Sequence, residues 1–320
     1  MTDFAEILAN ADPAIRRRAA AALAMMNDQA IGCEAFRIEA RAIVKQDSSP
    51  VTIADLLHQA QLQQMLAECF PADGLIAEEP RDLQEQTIAE AVAVSRRHYP
   101  APIRPLAVQR PQSGEFVWMF DPIDGTKGYL AGRHYAIALG LFRRGEPVFA
   151  AMAAPANPAD APLRVNGSLA FAAPRLGAWI GRIHRGGAES FDRLRPPPPV
   201  PPYKVSVSVE HDPAMRDRVQ QAADLERVSL DSQIKYLAVA AGDLAAYVRN
   251  RRKDGQPDRM WDHMPGAIIA EEAGCAARQF DGSPFDLRAD SVIRFEGGLI
   301  CCHGAPGGPV WLAMAALTRP

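Results

Sequence analysis

The chain has no surplus of positive charge: 35 lysines and arginines stand against 38 aspartates and glutamates, a formal net charge of −3 over 320 residues. That balance argues against non-specific binding to nucleic-acid polymers or to an anionic membrane, both of which draw on a basic excess. No stretch approaches the ~18 unbroken apolar residues of a membrane span. The opening MTDFAEILANAD is acidic where an export signal would be basic, so no secretory segment is expected. The five cysteines make no CxxC pair and no zinc-like spacing, and the adjacent Cys301 and Cys302 are poorly placed to bridge each other. A reducing compartment, the cytoplasm, is the expected location. There is no GxSxG turn, and no histidine sits in a nucleophile cluster, so a serine triad does not fit.

What is present is ordinary globular material, 48% hydrophobic and 23% charged, in a chain long enough to bury a core without disulfides or a structural metal. Helical spacing covers residues 4–26, broken at Asp12-Pro13, then 30–44 up to a turn at KQDSSPVT, then 55–68 and 81–98. Leu75-Ile76-Ala77 reads as a short strand ending at Glu78-Glu79, and FVWMF (116–120) as a buried one. HYAIALGLF and PVFAAMAA alternate as strands around the turn RRGE. RPPPPVPP (195–202) is the sharpest change of composition and predicts a stiff extended connector. Beyond it, strands are expected at KVSVSV, AAYVRN and GGLICCH, and helices at 212–224, 232–240 and 263–274. The expected architecture is α+β in two units: 1–195 with most of the acidic candidates, a connector at 196–202, and 203–320.

Acidic residues recur where strands end or helices begin: Asp55, Glu78-Glu79, Asp121 with Asp124, and Asp262. Oxygen-only ligand sets rich in carboxylates suit hard cations such as Mg²⁺ or Mn²⁺ rather than zinc. The most informative segment is DPIDGTKG (121–128). A buried strand delivers Asp121, Pro122 fixes the backbone, and Asp124 returns beside it. The Ile123 carbonyl could face the same cation, while Gly125 permits a backbone that aims the Gly125 and Thr126 amides at an anion. An Asp-Pro or Asp-Gly turn is common by itself; eight residues in this order directly after a buried strand are not. Asp262, at a helix start, also reads as an N-cap. Such carboxylates could converge on two or three Mg²⁺ ions and support in-line phosphoryl transfer to water, with Thr126, polarised by a carboxylate such as Asp55, as a proton relay.

DPIDGTKG, the upstream Glu-Glu, SPVTIAD and the downstream Trp261-Asp262 together resemble the lithium-sensitive, Mg²⁺-dependent phosphatases, over about residues 45–290. That superfamily includes inositol monophosphatases, fructose-1,6-bisphosphatases and 3'(2'),5'-bisphosphate nucleotidases, and implies a layered α/β sandwich. KQDSSPVTIAD, the Lys-Gly-Tyr after Thr126, DSQIKYLAVAAGDLAAYVR and MWDH are most similar to the bisphosphate nucleotidases. The resemblance implies one metal on Glu78, Asp121 and the Ile123 carbonyl and another on Asp121, Asp124 and Asp262. It implies that Asp55 and Thr126 activate water, with Glu78 helping to position it, and that the amides of Gly125 and Thr126 hold the scissile phosphate. Ser232, Lys235 and Arg249 would lie along the nucleotide, with His211 or Ser208 near its base or ribose. The implied reaction removes the 3'-phosphate of adenosine 3',5'-bisphosphate, or of its sulfated precursor. Two other readings stay open: an inositol or sugar phosphatase with the same metals, and a catalytically silent nucleotide-binding protein. Pro265, where the family carries a small residue, fits a first helical turn.

Overall fold

The computed structural model describes residues 2–39, 43–44, 50–79, 93, 111–155, 163–187, 190–208, 213–252 and 255–318. Its first half is a seven-stranded sheet in strand order: β3 (Gly74–Ala77), β4 (Phe116–Asp124), β5 (Ala136–Arg143), β6 (Glu146–Ala154), β7 (Ser168–Ala173), β8 (Gly177–Arg182) and β9 (Asp192–Arg193). Only β3 and β4 run parallel; the rest is an antiparallel meander. The β5–β6 turn places Arg144 and Gly145 at φ 53° and 86°, the two left-handed centres that match strand twist in a tight hairpin.

The second half holds a five-stranded sheet of β10 (Tyr203–Ser208), β11 (Leu225–Leu230), β12 (Ala246–Asn250), β14 (Cys275–Gln279) and β16 (Gly298–His303), in the order β11-β10-β12-β16-β14. Two-stranded pairs complete the strands: β1 (Ile43–Val44) with β2 (Pro50–Val51), and β13 (Asp258–Arg259) with β15 (Val292–Ile293).

Alternation along the strands sorts the core into three layers of apolar packing. Trp118 and Phe120 of β4 face α1 (Phe4–Ile7), α2 (Pro13–Glu39) and α3 (Ile53–Cys69). Val117 and Met119 face the other way, onto α6 (Ile234–Ala241) and α7 (Met264–Glu272). Those two helices are covered from beyond by Tyr247, Leu299 and Cys301 of the second sheet. The opposite face of that sheet, with Ala246, Val248, Ile300 and Cys302, packs on α5 (Pro213–Gln221) and α8 (Pro309–Thr318). Helix, sheet, helix, sheet, helix is the stacking that buries both faces of two sheets, and it is the layered α+β sandwich expected from sequence. Among the described residues no helix is long and apolar enough to cross a membrane.

Several local expectations are corrected. The break at Asp12-Pro13 is present, but the helices expected at 4–26 and 30–44 are one helix, α2, through position 39. Asn27 and Asp28 do not end it because the buried Asn27 amide is used in tertiary pairing, donating to the His184 carbonyl and accepting the His184 N–H. Ile43 and Val44 are a strand, not a helix end, consistent with β-branched residues pairing against Val51 and Pro50. Apart from residue 93, which is helical, the helix expected at 81–98 lies outside the described residues, as do the turn residues 45–49. β7, β8, β11, β14 and α8 were not anticipated.

Candidate active site

The end of β4 builds the centre. Its register pairs Asp121 with Ala138 and Asp124 with Ala136, so three steps on β4 oppose two on β5. This bulge turns both carboxylates into one space, a recurrent way of re-aiming a side chain at a sheet edge. The next residue, Gly125, sits at φ 87° and opens α4 (Thr126–Leu130). A Cβ there would lie 2.9 Å from the Cβ of Ser232, itself at φ 59°, so two left-handed residues meet at the wall of the site.

Two neighbours on α3 brace this turn. The His58 ring bonds through Nδ1 to the Pro122 carbonyl at 3.2 Å. Gln59 clamps the end of β3, donating to the Glu79 carbonyl at 2.8 Å and accepting the Glu79 N–H at 3.0 Å. Asp262 arrives from a 3-10 turn, Met260–Asp262, ahead of α7. The N-cap of α7 is His263 with no side-chain cap bond, so Asp262 is not the cap expected of it. Pro265 sits in the first turn of α7, as expected.

One carboxylate oxygen from each of Asp121, Asp124 and Asp262 lies within 4.8 Å of the others. Asp121 is 1% exposed, and its Oδ1 is buried with no hydrogen-bond partner among the described residues. Burial, then the charges of Glu78, Asp124 and Asp262, hold the Asp121 carboxyl well above the usual range. Burial pushes Asp124 up to about 6, against the opposing pull of the Gln233 N–H and Lys235. Asp262 is also pushed well up, by burial and then by Asp124 and Glu78, with Arg249 opposing. Glu78 bonds to Asp121 but lies outside the tight trio. Like charges crowded around an orphaned buried oxygen are what a divalent cation neutralises, so the residues fit a hard metal ion.

Other expected residues are placed less uniformly. The Thr126 hydroxyl donates to the Ile123 carbonyl at 3.1 Å. Asp55 closes a capping box at the start of α3, its Oδ2 accepting from the Thr52 N–H at 2.7 Å and hydroxyl at 2.6 Å. The 232–235 segment reaches the cluster through the Gln233 N–H, which donates to Asp124 Oδ2. Gln233 also donates to the Trp261 carbonyl at 2.9 Å and accepts from the Gly266 N–H at 3.3 Å, tying both ends of the site together. Burial lowers Lys235 to about 8, with Asp124 and Asp231 opposing. Arg249 pairs with Asp258 and donates to His263 Nε2 at 3.2 Å, while His263 Nδ1 and the Tyr236 hydroxyl are 2.9 Å apart. Ser208 ends β10, and His211 lies outside the described residues.

Sequence reasoning missed the bracing roles of His58, Gln59, Gln233 and Asp258. His58 and Gln59 share α3 with Gln61, Gln63 and Gln64, so no sequence signal set them apart from its other polar residues.

A layered sandwich with carboxylates gathered at a strand bulge and a helix start is the architecture of a metal-dependent phosphohydrolase. The chain belongs to the inositol monophosphatase family, whose profile matches residues 10–297. It is 29% identical over 316 residues to a 3'(2'),5'-bisphosphate nucleotidase of Schizosaccharomyces pombe, covering 87% of each chain. The fold is similar to that of the Thermotoga maritima IMPase, with a TM-score of 0.66 and 18% identity over 94% of this chain and 98% of the other. It is also similar to an IMPase/NADP phosphatase solved with Mg²⁺ and phosphate, with a TM-score of 0.57 and 20% identity over 87% of each chain.

Proposed function

We propose that this protein is a Mg²⁺-dependent phosphatase that removes the 3'-phosphate of adenosine 3',5'-bisphosphate, with 3'-phosphoadenylyl sulfate as a further substrate. The observation that carries this reading is the bond from the Gln233 N–H to Asp124. It fastens the segment bearing Ser232 and Lys235 to the carboxylate cluster. Arg249 acts on Asp262 in the same space. A monophosphate needs only the metal centre; a substrate with a second phosphate needs cations at its border, and Lys235 and Arg249 supply them. The kinship with bisphosphate nucleotidases supports the same choice.

Glu78, Asp121, Asp124, Asp262 and the Ile123 carbonyl would hold two or three Mg²⁺ ions. When bound, such ions neutralise phosphoryl charge and acidify the attacking water. The protein's own part is positioning. The Gly125 and Thr126 amides receive the scissile phosphate. The Thr126 hydroxyl, now donating to Ile123, turns toward the water and passes its proton on toward Asp55, with Glu78 holding the water in line. Ser232, Lys235 and Arg249 contact the far phosphate and sugar, with His211 toward the base. The connector 196–202 marks the border between a unit carrying most ligands and one carrying Asp262 and the substrate contacts.

Product identification tests this. ³¹P NMR of adenosine 3',5'-bisphosphate with enzyme and Mg²⁺ is expected to show the 3' resonance replaced by inorganic phosphate, leaving 5'-AMP. Adenosine 3'-phosphate as product, or an unchanged spectrum, would overturn the reading.

A further inference from the structure

At the edge of the seven-stranded sheet opposite β3, the strands β7, β8 and β9 and the segments around them wall a cavity of about 250 Å³. Arg164, Arg182, Arg193 and Arg195 are among the residues that line it, with His184, beside one acidic residue, Asp192. This concentration of positive charge runs against a chain of net charge −3. All four arginines are exposed, and all four belong to the wall of one concavity.

Two of the four are held at the cavity by backbone carbonyls. Arg164 Nη1 donates to the Ala241 carbonyl at 2.9 Å, and Arg182 Nη1 to the Asn166 carbonyl at 2.7 Å. Each bond orients a planar fork while using one of its five N–H donors. Arg193 differs: its guanidinium lies over the Trp179 ring at 5.7 Å and beside Gly177, neither of which lines the cavity, so it contributes to the wall without aiming its fork inward. Pre-oriented forks lose little side-chain freedom when they bind, and planar pairs of N–H donors match phosphate and sulfate oxygens.

The cavity is distinct from the carboxylate cluster. β5, β6 and β7 separate β4 from β8. Helix α6 runs between the two places: Gln233, just before it, bonds Asp124, and Ala241, its last residue, lines the cavity. Eight helical residues span about 12 Å.

We propose that this arginine-lined cavity is a second anion site, taking a small phosphorylated or sulfated molecule independently of the metal centre. The test is isothermal titration of the full-length, chelator-treated protein with pyrophosphate. Wild type is expected to bind saturably. Arg182→Gln/Arg195→Gln is expected to weaken binding by about tenfold or more, since charge-assisted bonds to phosphate are lost. Its Mg²⁺-dependent turnover and thermal midpoint should stay unchanged. Lys235→Met, which alters only the active-site cation, should bind pyrophosphate as wild type does. No saturation by about 10 mM, an affinity too weak for a built site, overturns the proposal. So does full binding by the double variant, or loss of binding in Lys235→Met. Should the double variant lose its thermal transition, the single Arg195→Glu, at an exposed position, gives the same readout.

Discussion

Two buried clusters of ionisable groups lie side by side around the start of α7, and they follow opposite rules. In the carboxylate cluster, Asp121, Asp124 and Asp262 crowd together, with Glu78 bonded to Asp121, and burial raises all three of the trio. In its neighbour, Arg249 pairs with Asp258 and bonds His263, which contacts Tyr236. Burial of a charge is costly unless it is matched. The matched network keeps its shape through its own pairs, and Arg249 carries charge from it toward the carboxylates. The mismatched one is held by the bulge, by Gln59 and by Gln233, and its uncompensated charge is what makes it a binding site.

The largest expected effect comes from breaking the mismatched side. Asp121→Asn should lower kcat by on the order of 10²–10³ or more through loss of a preorganised charge. It should also leave the metal-free thermal midpoint unchanged or higher, because a like charge is removed. Steady-state phosphate release and calorimetry with and without chelator check both. Near-full Mg²⁺-dependent turnover would remove Asp121 from the site.

Next in size is Lys235→Met, expected to raise KM for adenosine 3',5'-bisphosphate by about tenfold, the scale of one charge-assisted contact. KM for inositol 1-phosphate should change little. Equal losses on both would dissociate Lys235 from the second phosphate. Lys127→Met, at an exposed position of α4, should show the same selectivity at a smaller scale.

The smallest effect, and the sharpest contrast, is in pH. In chelator, Asp124 is raised from 3.8 to about 6, so the folded state holds its proton more tightly than the unfolded chain does. Stability from this group is present below pH 3.8 and lost as pH rises through about 6. Burial lowers His263 from 6.5 to about 4, which works the other way: its contribution is present above pH 6.5 and lost as pH falls through about 4. Thermal midpoints of metal-free protein should therefore show Asp124→Asn flattening the loss on the rising side and His263→Gln the loss on the acid side. Identical profiles for the two variants would erase the distinction between the clusters.

The centre of the site was legible because it is local. Eight consecutive residues contain the bulge, two carboxylates and the left-handed glycine, and the strand before them is plainly apolar. Glu78 and Asp262 were legible as the ends of short elements. What the sequence hid was tertiary. Nothing local in DLLHQAQ says that Gln59 will clamp Glu79 or that His58 will reach Pro122, and Asp258 matters only because Arg249 lies across from it. The merging of two expected helices into α2 likewise depends on His184, which lies 157 positions from Asn27 in the chain. The hairpin β7–β8 was missed since β7 is alanine-rich and β8 carries two glycines, so both take their identity from neighbours rather than from propensity.

The most direct measurement is phosphate release with Mg²⁺ from adenosine 3',5'-bisphosphate, inositol 1-phosphate and fructose 1,6-bisphosphate in parallel. A clear kcat/KM preference for the nucleotide is the predicted result. Preference for either sugar phosphate would keep the carboxylate cluster and contradict the roles given to Lys235 and Arg249, and silence on all three would contradict the assignment of the cluster as a phosphatase centre.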